Sequence, residues 1–401
     1  MLSPGDSITV TVDKAAHGGE GVARYEGMAV FVQGAVPGDT VEATLVTVKK
    51  NFARARATSV VTASPIRVDH RCAAAAAGAG CCDYSIVDPQ AELSMKTGIV
   101  REQLQRIGKV AEIPNIEEQP LRPQVGWRTR FRLGVNAQGR PGFRASHSND
   151  IITGKTCAQA PAGLLDDILA SSSYTPGAEL IVAVGSTGER TVVESYKAAR
   201  GRSVSRKIRH VSGPATVTQT VYGATFELDP LGFWQGHSAA PDAYCDIVAQ
   251  WLGEIDLGSE PVVWDLYGGV GLFVPAIRRA LPSSRVISVE LGKHAAEVGK
   301  KALGEERIEF VTGDVAKVVD KLEAPDAVVL DPPRKGAGRE VIAAVAARSP
   351  KAVIHVGCDP ATMARDMLEW QERGYVLRRV RVFDAFPGTH HSETFCFLTR
   401  D

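Results

Sequence analysis

The chain has no charge imbalance: 46 basic residues meet 46 acidic ones across 401 positions. That excludes a polycation, so any hold on nucleic acid has to come from local patches. Long apolar runs are missing as well. Ala73 to Ala77 is far too short to span a bilayer. No N-terminal run of basic then apolar residues suggests a secretion signal. These absences predict a soluble, cytoplasmic protein. Cysteine is scarce and odd in number, with seven residues at Cys72, Cys81, Cys82, Cys157, Cys245, Cys358 and Cys396. Such a scattered set excludes a disulfide framework. The length is too great for one small core and predicts two or three domains.

Residues 1–62 read as a small β-barrel. Ser7 to Val12, Met28 to Val32 and Thr40 to Leu45 alternate in polarity, and Gly18-Gly19, Gly27 and a repeated Pro-Gly-Asp supply turns. The last strand carries Lys49, Lys50, Arg54 and Arg56 around Phe52. That pattern suits a nucleic-acid backbone, and equally a charged edge strand. Residues 63–232 read as a central RNA-binding domain. It holds an irregular stretch with three cysteines, then a helix over 93–108 that is a candidate to pack on the following domain. From Leu121 to Asn149 there is no acidic residue, while Arg122, Arg128, Arg130, Arg132, Arg140 and Arg144 accumulate among Trp127, Phe131 and Phe143. This predicts an RNA-facing β-ribbon. A second basic run, Arg200, Arg202, Arg206, Lys207, Arg209 and His210, reads as an RNA contact or as a solvated loop.

From residue 233 to 401 strands alternate with helices, which predicts a parallel sheet covered on both faces. Two of its strands stop at chemistry. Val329-Leu330 runs into Asp331-Pro332-Pro333, and Val353 to Gly357 runs into Cys358-Asp359-Pro360. Open α/β sheets bind ligands at the carboxyl ends of such strands. Glu393, near the end of the chain, adds a second carboxylate. A thiol flanked by two acids makes a nucleophile-and-base site, although a lone cysteine after a strand is more often a small buried hydrophobe. The first strand, Val262 to Leu266, opens into Tyr267-Gly268-Gly269-Val270-Gly271. Glu290 follows the last of these glycines by 19 residues, an offset that suits the hydroxyls of a ribose. Asp314 follows the third strand and could reach an adenine amino group. The loop lacks the spaced glycines of a dinucleotide site, so S-adenosylmethionine fits better than NAD.

Taken together, these residues resemble one family. Gly232-Phe233-Trp234-Gln235, the glycine loop, Asp331 to Gly336, Gly357 to Thr362, and Phe383 to Pro387 with Glu393 stand in the order and spacing of the RNA uracil-5 methyltransferases. The N-terminal barrel is similar to the OB-like TRAM domain many of them carry. The resemblance implies an α/β fold with a C-terminal class I, Rossmann-like methyltransferase sheet, the barrel, and a central α+β domain. It implies Gln235, Tyr267, Glu290 and Asp331 as cofactor residues, Cys358 as nucleophile and Glu393 as general base. The substrate implied is RNA, with 23S rRNA favoured by the barrel and tRNA as the alternative. Two positions depart from the pattern. Leu272 stands where a polar residue is common, and Asp359 where asparagine usually follows the nucleophile.

The family also holds a [4Fe-4S] cluster in many members. Cys157 and Cys82 match two of its ligands and Cys72 is a candidate third, but Ala79 replaces the fourth. Adjacent thiolates such as Cys81 and Cys82 reach two corners of one cluster only under strain. The sequence therefore commits to no metal.

The implied chemistry explains the residue types. Carbon 5 of uracil is a poor nucleophile until a thiolate adds to carbon 6. A base must then remove the proton from carbon 5 before the thiol can leave. An amino-group methyltransferase also uses Asp-Pro-Pro, but follows it with an aromatic where Arg334 stands, and needs no thiol. A non-catalytic RNA-binding factor would have no use for Cys358 and Glu393.

Overall fold

The computed structural model describes residues 2–200, 203–304 and 306–400. Strand alternation closes the first unit. Five strands, in the order Ser7–Ala15, Gly21–Tyr25, Met28–Gln33, Phe52–Thr62 and Thr40–Val48, form a closed barrel. Ile8, Val10, Val30, Val32, Val41 and Leu45 fill it. Closure removes the free edges that an open five-stranded sheet would expose. Arg54 and Arg56 alternate with the buried Ala53 and Ala55, so both point outward.

The central unit is a six-stranded antiparallel sheet followed by a two-stranded ribbon, Val217–Val221 with Ala224–Leu228. The arginines of 122–144 do not all face solvent, as a ribbon laid on RNA would require. Arg130 turns inward and donates to the carbonyls of Pro230 at 3.0 Å and Gly232 at 2.7 Å. Arg128 donates to the Arg130 carbonyl and to Gln159. Arg144 and Arg206 both donate to Glu179. The second basic run is strand, Ser203–Ser212, rather than loop. Arg202 lies outside the described residues.

The C-terminal sheet has eight strands, in the order Ile308–Thr312, Arg285–Glu290, Val262–Leu266, Ala327–Leu330, Ala352–Gly357, Glu393–Arg400, Tyr375–Asp384 and Ile116–Pro120. The first five run parallel and Glu393–Arg400 runs against them. Strands such as Val262–Leu266 are buried along their whole length because helices cover both faces. On one face Tyr244, Ile247, Trp251 and Ile277 pack against Val263, Ile354 and Phe395. On the other, Leu93, Val100, Met363 and Trp370 pack against Trp264, Val328 and Val353. The helix Pro89–Arg106, capped by Asp88, thus lies on the C-terminal sheet. Strand Ile116–Pro120, with its run Glu117-Glu118-Gln119, carries almost no strand signature. It nevertheless extends that sheet at its edge, parallel to Tyr375–Asp384.

Candidate active site

The order in which strands are added reverses between Val262–Leu266 and Ala327–Leu330, and crevices open at such a point. The residues leaving these strands gather there. Asp331 donates its backbone N–H to the Leu266 carbonyl at 3.2 Å, which ties the Asp-Pro-Pro turn to the glycine loop. Burial, then the charge of Asp265, pushes the Asp331 carboxyl up to about 7.

Register brings Cys358 and Glu393 together. Gly357 is paired with Thr394 across antiparallel strands, so the next residue on one faces the previous residue on the other. Glu393 is buried, and its Oε1 has no hydrogen-bond partner among the described residues. Burial, and then Asp331, holds its carboxyl well above the usual carboxylate range, while Arg334 opposes them. Burial likewise pushes the Cys358 thiol up to about 12, with Glu393 and Asp331 adding to it. An unpartnered buried carboxyl oxygen facing a thiol, with both groups shifted, marks a candidate functional pair. The position after Cys358 is structural: Asp359 caps the helix Pro360–Gln371 by accepting from the Thr362 amide at 2.8 Å. Asparagine and aspartate cap equally well, which accounts for the departure at this position.

The residues expected to hold the cofactor surround the glycine loop. Tyr267 adopts a left-handed φ of 60°. A side chain at Gly268 would collide with Ser288 and Asp265, so only glycine lets the loop close on the strand ends. Glu290 accepts from Gly269 N–H at 3.1 Å and from Gly292 N–H at 2.6 Å. Those bonds fix the carboxylate and leave one acceptor site on each oxygen, which fits a ribose diol. The donor set therefore suits an adenosyl cofactor. Asp314 is more committed: its Oδ1 caps the short helix Val315–Val318 through the Ala316 amide. Gln235 is buried just before the helix Ala240–Gly253, and its carbonyl accepts from Thr129. Leu272 is part of the core.

Sequence reasoning missed several participants. Tyr244 carries no functional pattern in the sequence, yet its hydroxyl is buried with no hydrogen-bond partner among the described residues. Burial raises its pKa well above the usual value, and the charges of Glu393, Asp331 and Cys358 raise it further. The stretch Asp384 to His390 is clamped from outside. Lys96 donates to Asp384 at 2.6 Å and to the Phe386 carbonyl at 3.2 Å, and Glu92 accepts from Gly388 N–H at 2.9 Å. From the barrel, His17 reaches Asp359 at 3.1 Å. No local pattern links these pairs, which lie hundreds of residues apart.

The cysteines need a correction. Cys81 is not excluded by its neighbour: Cys72, Cys81, Cys82 and Cys157 come together, with every Sγ within 4.8 Å of the others. The cube of iron and sulfide in a [4Fe-4S] group holds its cysteine sulfurs farther apart than this. The four thiols as they stand do not fit it.

Comparison with known proteins bears on family and fold. The TRAM domain family model matches residues 3–58, and the tRNA (Uracil-5-)-methyltransferase model matches residues 316–401. An uncharacterized RNA methyltransferase of Corynebacterium efficiens is 49% identical over 100% of this chain and 96% of its own length. One from Streptomyces avermitilis is 31% identical over 98% of each chain. Among solved structures, the Pyrococcus abyssi tRNA (uracil-54, C5)-methyltransferase, in complex with S-adenosyl-L-homocysteine, matches with a TM-score of 0.72. It is 19% identical and the match covers 98% of this chain and 100% of that one, a likeness of fold.

Proposed function

The chain belongs to the RNA uracil-5 methyltransferase family, whose members take their methyl group from S-adenosylmethionine, and on that premise we propose that it methylates carbon 5 of a uridine in 23S rRNA through a covalent adduct at Cys358. The observation that carries the reading is the register that sets Cys358 next to Glu393, one step beyond the Gly357–Thr394 pair. The Cys358 thiolate adds to carbon 6, and the ring becomes an enolate whose carbon 5 is nucleophilic. The bound cofactor supplies an electrophilic sulfonium methyl. Glu290, Asp331, Gln235 and Tyr267 hold and orient it. Glu393, with its free Oε1, takes the proton from carbon 5, and the thiolate leaves. The target base has to be unpaired or flipped out, which the barrel and central domain assist. The reaction belongs in the cytoplasm, and no helix among the described residues is long and apolar enough to cross a membrane.

A tRNA target is the second reading, because the Pyrococcus abyssi protein with this fold is a tRNA methyltransferase. Mass mapping of 5-methyluridine in rRNA and tRNA, from cells with and without the gene, separates the two. For the adduct, RNA carrying 5-fluorouridine at the target traps the enzyme, since fluorine cannot leave as a proton does. Cys358→Ala abolishes both turnover and trapping. A Cys358→Ala protein that still methylates at the normal rate overturns the mechanism.

A further inference from the structure

The four clustered thiols sit on two distant segments. Cys72 precedes a short helical turn, Cys81 and Cys82 follow it, and Cys157 enters from the loop after strand Ile151–Thr153. Cys72 to Cys81 is 3.8 Å between sulfurs, Cys82 to Cys157 is 3.7 Å and Cys81 to Cys157 is 3.7 Å. These gaps are diagnostic of size. A tetrahedral ion with metal–sulfur bonds of about 2.3 Å sets its sulfurs about 3.8 Å apart. Nothing larger than one ion fits between them.

The surroundings suit a four-thiolate anion. The Ala158 backbone amide donates to Cys72. Gln159 donates to the Cys81 carbonyl at 2.7 Å and is itself held by Arg128 at 2.6 Å. Arg128 pairs with no carboxylate among the described residues and lies within electrostatic reach of Cys81, Cys82 and Cys157. Four thiolates around a divalent ion carry a net charge of minus two, half of which this guanidinium offsets. A closed set of four protein ligands leaves no open position, so the ion is structural rather than catalytic.

Its position gives it a purpose. The two residues after Cys82 grip the stretch that leads to Glu393. Asp83 accepts from His390 N–H at 3.1 Å and also pairs with its imidazole, and Tyr84 N–H donates to the Gly388 carbonyl at 3.0 Å. Trp127, which lines one small cavity with Cys72 and Cys82, donates its indole N–H to the Pro387 carbonyl at 3.2 Å.

We propose that Cys72, Cys81, Cys82 and Cys157 bind a single structural zinc ion in place of an iron–sulfur cluster, and that this ion braces the segment Pro387 to His390 behind the proposed base. Cys81 is the decisive ligand, because it replaces the sulfur missing at Ala79. Each thiol gives up its proton on binding, so loading weakens as pH falls.

The test begins with the full-length protein purified without air and analysed for metal and acid-labile sulfide. One zinc per chain is expected, with no visible absorption and no sulfide. X-ray absorption at the zinc edge should show four sulfurs at about 2.3 Å. Cys81→Ser should lose zinc at a chelator concentration that leaves the unmodified protein loaded, and Cys245→Ser, a buried thiol elsewhere, should not. Iron with sulfide in the unmodified protein overturns the proposal, as does a protein that takes up no zinc when zinc is supplied. Full zinc retention by Cys81→Ser overturns the ligand assignment. If Cys81→Ser does not fold, the absorption spectrum of the unmodified protein decides alone. S-adenosylmethionine affinity, measured alongside, reports on the methyltransferase sheet. Loss of zinc with that affinity intact separates this site from the proposed reaction.

Discussion

Cys358 and Glu393 share one electrostatic problem. Glu393 is buried and Cys358 half-buried beside it, both near Asp331, and these surroundings favour the protonated form of each. Below its pKa of about 12 the thiolate fraction of Cys358 grows roughly tenfold per pH unit. A Glu393 carboxyl held high also ionises more as pH rises. Both effects have one sign, so the single-turnover rate should climb from pH 6.5 to 9, by up to about tenfold per unit. Rapid-quench methylation across that range measures it, and a flat profile would mean that RNA binding itself ionises the thiol. Glu393→Gln gives a sharper outcome. The thiol still adds and carbon 5 is still methylated, but elimination stalls. A covalent complex with unmodified RNA should accumulate on denaturing gels, and an enzyme that turns over freely without this carboxylate would remove Glu393 from its role. Cys358 was legible in the sequence because it ends an apolar strand, whereas Glu393, at the start of one, was picked out only by the resemblance. Cys81 was set aside because of its neighbour, and nothing in the sequence marked the Tyr244 hydroxyl. A thiol's partners from another segment, or a hydroxyl turned toward a cleft, leave no trace in local pattern.

At the scale of elements, a helix from the first third of the chain holds the segment before the base in place. Lys96 is 1% exposed and Asp384 is 1% exposed, so their 2.6 Å pair is fully desolvated. Glu92 lies beside them, accepts from Gly388 N–H and pairs with Arg71. Burial pushes its carboxyl up to about 7, against the pull of Lys96. Removing one partner from such a network leaves a charge with no compensation. Lys96→Met should therefore cost about 3–5 kcal/mol in denaturant unfolding, and Lys96→Met with Asp384→Leu should recover much of it. A single variant as stable as the unmodified protein would mean that Asp384 is neutral when its partner is gone. The helix was readable from the spacing of Leu93, Val100, Leu104 and Ile107. The lysine on its buried face was not, because periodicity marks where apolar residues fall and says nothing of a charge whose partner comes 288 residues later. Strand Ile116–Pro120 escaped for a related reason: an edge strand needs only one buried side chain, here Ile116.

Across the whole molecule, the barrel is docked rather than tethered. His17 meets Asp359 next to the proposed nucleophile, Lys14 meets Glu102 at 2.6 Å, and Gln33 donates to Ser146 of the central unit at 3.0 Å. A side chain at Gly19 would collide with Asp83, so the barrel's first turn lies against the same segment that leads to Glu393. RNA held by the barrel is thereby held at a fixed distance from the cleft. Because the chain as a whole is neutral, its attraction for RNA has to be local, and the barrel's exposed Lys49, Lys50 and Arg56 are the clearest patch. Arg54, beside them, is already paired with Glu20. Replacing Lys49, Lys50 and Arg56 together with alanine removes up to three phosphate contacts. The slope of log affinity against log salt should then flatten by about 2 for single-stranded RNA. S-adenosylmethionine affinity should not change, since none of the three touches the C-terminal sheet. Fluorescence anisotropy at several salt concentrations, with calorimetry for the cofactor, measures both. An unchanged salt slope would move the RNA path off the barrel and onto the exposed arginines of the central sheet.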